Sequence, residues 1–193
     1  MIIPKEVKTI IHTLQKAGFE AYIVGGCVRD FLLGIEPKDW DVTTNAKPEE
    51  IQKVFPNSFY ENNFLTVTAR TGSKNERLAE VEITTYRFEA KYSDKRHPDE
   101  VKYAKKLEDD LGRRDFTINA MALRLGTQGA TRRAKNEVVD LFEGQKDLKN
   151  RTIRTVGSPE ERFGEDALRM LRAVRFATTL DFEIEEKTAE AIR

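Results

Sequence analysis

The sequence predicts an α/β (α+β) fold: a mixed sheet flanked by helices over residues 1–150, then the start of an all-α region over 151–193. Three observations lead there. Short β-forming runs and amphipathic helical patterns alternate through the first part of the chain. The stretches "FLTVTART" (64–71) and "LAEVEITTYR" (78–87) alternate in the strand period and are joined by the polar turn "GSKNE". From Ser158 onward the pattern is helical up to Arg193, where the sequence stops without a helix-end signal.

The elements follow in order. Val7, Ile10, Ile11 and Leu14 recur at helical spacing within residues 4–17, and Gly18 stands where a helix stops. "AYIV" (21–24) reads as a short buried strand closed by Gly25 and Gly26, and "CVRDFLLG" as a short helix with its own glycine stop. "WDVTT" (40–44) is a second strand, and "KPEEIQKVF" (47–55) is a helix with proline in its first turn. "FEAKYSDKRHPDE" (88–100) has no periodicity and is expected to be a mobile loop. "LEDDLGRRDFTINAMALRL" passes from a charged helix into an apolar segment, and "EVVDLF" (137–142) is a strand preceded by a polar turn. "SPEE" is a capping box, with Ser158 as N-cap, Pro159 at the first helical position and Glu161 at the third.

Length and composition bound the function. A chain of 193 residues holds one ordinary domain and a small appendage. Thirty-three basic residues balance thirty-three acidic ones, so a nucleic-acid site would have to come from local clustering. One cysteine, Cys27, excludes an internal disulfide and a thiolate metal cluster, and two separated histidines exclude a multi-histidine site. A bound metal would therefore sit on carboxylates, which suits a hard cation such as Mg²⁺. No signal peptide and no membrane span is visible, and a cytoplasmic location is the default expectation.

Four stretches carry candidate chemistry. In "IVGGCVRD" (23–30), a strand runs through Gly25 and Gly26 into a helix start, which suits a phosphate, and Arg29 adds a bidentate donor. The same residues also describe a tight turn with an arginine–aspartate surface pair. Asp39 and Asp41, two apart at a strand start, leave from one face while Trp40 leaves from the other. Two like charges held that close favour a cation between them, although a solvated strand end has the same pattern. A further carboxylate comes from Glu82 or Glu80; Glu82 is preferred, because Val81 and Ile83 would then face the core. In "RRDFTINAMAL" (113–123), Asp115 and Asn119 border a buried stretch, where polar groups have assigned partners.

The fourth stretch is "EDALRMLRAVRFA" (165–177), expected as one helix. Asp166, Arg169, Arg172 and Arg175 recur every three residues as a stripe, and Leu168, Leu171 and Val174 are expected to supply the buried face. The stripe reads equally as a solvated ion-pair face or as a reader of base edges. An ionised Asp166 only accepts hydrogen bonds and Arg169 only donates. Cytosine and adenine each offer an amine donor beside a ring-nitrogen acceptor; uracil and guanine offer the reverse. An Asp/Arg pair would accept C and A.

In order, "VGGCVRDFLLG", "DWDVTT", "EVEITTYR", "YSDKRHPDEV", "LGRRDFTINAMAL", "LFEGQKDL" and "IRTVGSPEERFGEDALRMLRAVRFA" resemble the class II tRNA nucleotidyltransferase and bacterial poly(A) polymerase family, polymerase-beta-like nucleotidyltransferases. The resemblance spans nearly the whole chain. It implies a catalytic head over 1–150 and the start of a helical neck, the nucleobase-recognition region, over 151–193. It further implies that Asp39 and Asp41 ligate two Mg²⁺ ions and that Gly25, Gly26 and Arg29 meet the triphosphate. Arg114, Asp115 and Asn119 would hold the ribose and the nucleotide site, and Asp166 and Arg169 would template C and A, supported by Arg172 and Arg175. The loop around Tyr92, Asp94, Arg96 and Pro98 resembles the flexible element that switches the template from C to A. Implied partners are CTP, ATP and the tRNA 3′ end; implied products are CCA or A addition, or a poly(A) tail. Family members continue as helical regions that grip tRNA, so a further domain or chain is expected to complete that grip, and a nucleotide- or RNA-binding module with little turnover is the third reading.

Overall fold

The computed structural model describes residues 2–61, 65–90, 100–126 and 135–193. Helix α1 (Lys5–Lys16) leads into β1 (Ala21–Val24), α2 (Gly26–Leu33), β2 (Asp41–Thr44) and α3 (Pro48–Val54). Then come β3 (Ser58–Glu61), β4 (Thr66–Arg70), the single turn α4 (Glu76–Ala79) and β5 (Glu80–Thr85). The hairpin strands β6 (Arg87–Ala90) and β7 (Glu100–Tyr103) precede α5 (Leu107–Gly112), a 3-10 turn over Thr117–Asn119, β8 (Met121–Arg124) and β9 (Glu137–Asp140). The remainder is α6 (Gly144–Asn150), β10 (Thr152–Ile153), α7 (Pro159–Glu165), α8 (Leu168–Leu180), β11 (Glu183–Ile184) and α9 (Glu186–Glu190).

Seven strands form the main sheet in the order β3-β4-β5-β2-β1-β8-β9, with β2 and β5 parallel and every other neighbouring pair antiparallel. The strand period divides its two faces. Ile23, Val42, Val67, Val81 and Ile83 point into a core shared with Val7, Ile10, Ile11 and Leu14 of α1 and Ile51 of α3. Burying four aliphatic side chains, at about 1.5–3 kcal/mol each, holds α1 more firmly than its propensity could. On the other face, Tyr22 and Val24 pack with Tyr86, Leu107 and Leu111 beneath α5. Beyond that cover the second face is polar, lined by Asp41, Glu82, Thr66 and Thr84. This uncovered part of the sheet is where the candidate site lies.

The structure departs from the sequence reading at several points. β3 was not expected. The strand expected over 78–87 begins as the turn α4, because the Asn75 side chain caps Arg77 N–H, and the strand proper is β5. The segment 88–100 is not wholly aperiodic: its ends belong to the antiparallel pair β6/β7, held by backbone hydrogen bonds that need no hydrophobic alternation. Tyr92, Asp94, Arg96 and Pro98 lie outside the described residues. Among the described residues, no helix is long and apolar enough to cross a membrane.

The largest correction concerns 165–177. That stretch is two helices, broken at Asp166, whose backbone is extended (φ −141°) and whose Oδ1 accepts the Leu168 N–H at 2.9 Å. An aspartate favours such a cap over a helix interior. Leu168, Leu171 and Val174 are exposed (41%, 68% and 49%), whereas Arg169, Ala173 and Phe176 are buried. Phe176 meets Phe116 edge to face at 5.9 Å, and that contact sets which side of α8 turns inward. The N-cap of α7 is as expected, with Ser158 Oγ accepting the Glu161 N–H at 3.4 Å, but the capping box is only half made: the Ser158 hydroxyl donates to Glu160 at 2.6 Å.

Candidate active site

Asp39 and Asp41 flank Trp40, which is buried in the main core. The indole is fixed inward; Asp41 opens β2 and lines a cleft together with Asp39, which lies in the bend just before the strand. Burial pushes the Asp41 carboxyl above its ordinary pKa, the Arg114 guanidinium pulls it partly back, and the Asp39 charge raises it again. Glu82 lies in register with Asp41 across the parallel pair β2/β5. Its pKa is also raised, first by burial, then by Asp41, Glu61 and Asp39, with Arg87 opposing.

Two clefts meet at Asp41. One, of about 400 Å³, includes Glu82, Thr84, Arg87 and Arg114 in its walls. The other, of about 530 Å³, runs past Gly26, Arg29, Lys38, Asp39 and Arg175 to Phe176. Carboxylates with raised proton affinity, gathered where two clefts join, are stabilised by a bound cation. Among the described residues, no group of three or more His, Cys, Asp or Glu side chains forms a metal cage. Asp39 and Asp41 offer a two-carboxylate site, the kind that a small hard cation completes with water and phosphate oxygens.

Gly25 explains the start of α2. Its φ of +86° is open to glycine, and a Cβ there would stand 2.8 Å from Arg114 Nη1. The bare backbone therefore lets the guanidinium approach the strand end beside Asp41. Arg114 Nη2 meets Asp110 Oδ2 at 3.4 Å, and its buried Nε has no hydrogen-bond partner among the described residues. Such a donor set is open to an anion.

Arg29 is more committed than the sequence suggested. It pairs with Asp30 at 2.7 Å and donates Nη1 to Asn119 Oδ1, also at 2.7 Å. The arginine–aspartate pair exists, but it is largely buried rather than on the surface (10% and 18% exposed), and the same arginine lines the larger cleft. Asn119 passes the network on to Asp115 Oδ1 at 3.1 Å, and Asp115 Oδ2 accepts from Arg172 at 2.7 Å. Arg29, Asn119, Asp115 and Arg172 thus form one chain joining α2, the 3-10 turn and α8. Arg29, Arg172 and Arg175 each lie 5.0–5.1 Å from the centroid of Phe176. That ring, which the sequence reading passed over, gathers three guanidiniums, two of which, Arg29 and Arg175, line the larger cleft beside it.

Asp166 and Arg169 are not brought together as a pair of side chains. Asp166 caps α8, while Arg169 binds Glu165 at 2.6 Å and the carbonyls of Arg113 and Arg162 at 3.3 Å. Glu165 was also missed; its contact to Arg169 at i,i+4 was the signal.

Residues 21–154 match the family model "Poly A polymerase head domain". The chain is 50% identical over 185 residues to the CCA-adding enzyme of Lactobacillus helveticus, covering 95% of this chain and 43% of that protein. It is 46% identical over 200 residues to the CCA-adding enzyme of Ligilactobacillus salivarius, covering 99% and 45%. Among solved structures, it resembles the Bacillus stearothermophilus CCA-adding enzyme in complex with CTP (TM-score 0.82, 37% identity, 98% of this chain and 43% of that one). It also resembles a tRNA nucleotidyltransferase complexed with a primer tRNA and an incoming ATP analogue (TM-score 0.72, 32% identity, 95% and 48%). The chain spans less than half the length of these relatives. With the segment carrying β1 to β10 matched to the family model and the same fold in solved relatives, the chain belongs to the poly A polymerase head-domain family.

Proposed function

We propose that this chain is the catalytic head of a tRNA nucleotidyltransferase, which moves a nucleotidyl group from CTP or ATP to an RNA 3′-hydroxyl and releases pyrophosphate. The observation that carries this reading is the placement of Asp41, with Asp39 and the in-register Glu82, where two clefts join. One cleft would take the triphosphate and the other the RNA end. The names of the relatives, CCA-adding enzymes, and the CTP, ATP-analogue and primer-tRNA complexes among them support the same assignment.

Asp39 and Asp41 fit a pair of Mg²⁺ ions, which when bound would neutralise phosphate charge and favour ionisation of the attacking hydroxyl. The protein's own groups do the rest. Bare backbone at Gly25 and Gly26 admits the phosphates at the start of α2, and Arg114 supplies a donor beside them. Glu82, with its raised proton affinity, accepts the proton of the 3′-hydroxyl. The freed oxygen bonds to the α-phosphorus as the bond to pyrophosphate breaks. The chain Arg29–Asn119–Asp115–Arg172 holds the ribose side of the site rigid.

Base choice falls to Asp166 and Arg169. Arg169 would exchange Glu165 for the ring nitrogen of C or A, while Asp166 accepts from the exocyclic amine. On this reading residues 1–150 are the head and 151–193 begin the base-recognition region. The greater length of the relatives favours a second reading, a nucleotide-binding module that needs more chain to turn over.

The test is extension of tRNAs ending before CCA, after C, or after CC, with each nucleotide singly and with Mg²⁺. Addition of C and then A that halts at CCA supports CCA addition; addition of A alone to the end after CC supports an A-adding enzyme. Unbounded A tails would make the chain a poly(A) polymerase. Binding without extension would support the module.

A further inference from the structure

Asp110 is the one charged residue of α5 whose side chain is fully buried (0% exposed), and neither the sequence motifs nor the proposed mechanism uses it. Its two oxygens collect donors from three parts of the chain. Oδ1 accepts from Arg113 Nε at 3.0 Å and from the Arg87 backbone N–H at 3.4 Å. Oδ2 faces the Thr43 hydroxyl at 3.2 Å and Arg114 Nη2 at 3.4 Å. The Thr43 proton is shared with the Thr84 carbonyl at 3.3 Å. Burial alone would raise the Asp110 pKa, but the Arg113 and Arg114 guanidiniums outweigh it and hold the carboxyl below its ordinary value. It is an ionised carboxylate in the interior.

The connection has a direction. Thr43 stands two residues beyond Asp41 on β2 and shares its face, so Asp110 is tied to the strand that carries the candidate metal ligand. The same oxygen holds Arg114, whose other end lies against Gly25 and whose charge acts on Asp41. Thr43, Asp110 and Arg114 therefore close a ring that fixes the guanidinium relative to the Asp41 carboxylate. A partly exposed arginine without such an anchor would lose rotamer freedom each time an anion bound.

We propose that Asp110 is a positioning residue: it aims Arg114 into the cleft beside Asp41, ready for the phosphates of a nucleoside triphosphate. This deepens the function proposed above and rests on it.

The experiment is a double-mutant cycle on this chain, read by calorimetric titration with Mg²⁺–CTP and, separately, with inorganic tripolyphosphate and Mg²⁺. Asp110→Asn and Arg114→Ala should each weaken both probes by about tenfold, and the double variant should bind no worse than Arg114→Ala alone. A merely structural aspartate would give additive losses, and additivity overturns the proposal. Circular dichroism at low temperature checks that Asp110→Asn is folded. Where it is not, Thr43→Val decides: it should weaken binding by about threefold with Arg114 present and have no effect with Arg114→Ala. Equal losses in both backgrounds overturn the role of Asp110. Failure of the unmutated chain to bind either probe would remove the proposed function itself, and the role of Asp110 with it.

Discussion

Glu82 stands beside Asp41 across the parallel strand pair of the main sheet, and the Asp41 charge helps push the Glu82 carboxyl above its ordinary pKa. Both groups are held in a place that disfavours their ionised form. A folded-state pKa above the unfolded one means that stability is greatest below the ordinary carboxylate pKa and falls as pH rises through the folded value. Asp41→Asn should therefore raise the melting temperature of the metal-free chain at neutral pH, by about 1 kcal/mol or 2–4 °C, while abolishing extension. The gain should shrink as pH is lowered into the acid range, and Mg²⁺ should raise the melting point of the unmutated chain more than that of the variant. A variant melting lower than its parent at every pH would contradict the assigned strain.

A side chain at Gly25 is disfavoured on two counts: the φ of +86° strains it, and a Cβ would stand 2.8 Å from Arg114 Nη1 and push that guanidinium aside. Gly25→Ala is expected to destabilise the fold by about 1–3 kcal/mol and to lower nucleotide affinity, because Arg114 must move. Urea unfolding and titration with Mg²⁺–CTP measure the two effects separately.

Gly144 is constrained differently. A Cβ there would lie 2.3 Å from the Thr117 carbonyl oxygen and 2.9 Å from Met121 Cγ, both in the heart of the molecule. Gly144→Ala should cost at least about 1–3 kcal/mol, the ordinary range for overpacking, since backbone must shift. Its chemical denaturation midpoint should fall well below that of the parent; an unchanged midpoint would show that α6 moves freely.

Asp166 caps α8 and, in the proposed mechanism, accepts from the base. Asp166→Ala should blur the choice among the four nucleotides more than it slows the addition of C. Losing the cap should cost about 1 kcal/mol in addition. Competition assays with all four triphosphates give the ratio; unchanged selectivity would leave Asp166 with the capping role alone.

The legible parts of the structure were those written in local geometry. Glycine stops mark α2, the Asp-Trp-Asp spacing brings two carboxylates to one cleft, and Val81 and Ile83 point Glu82 outward. The parts that stayed hidden depend on partners far along the chain. Leu168, Leu171 and Val174 have helical spacing, yet α8 buries Arg169 and Phe176, because Glu165, Arg113 and Phe116 receive them. β3, with only Phe59 and Tyr60 between Ser58 and Glu61, is too short to show a strand period, and its pairing with β4 comes from its position at the sheet edge. Asp110 precedes Arg113 and Arg114 by one helical turn, so the ion pairs were readable, but its complete burial was not.

The register of β2 on β5 also governs when the molecule can work. A slip of one residue would turn Glu82 inward and present Val81 or Ile83 to the cleft. These strands are separated in the chain by α3, β3, β4 and α4, and such distant pairings form late relative to local turns and helices. During refolding from denaturant, then, the ability to capture a nucleotide should return with the final kinetic phase and never ahead of it.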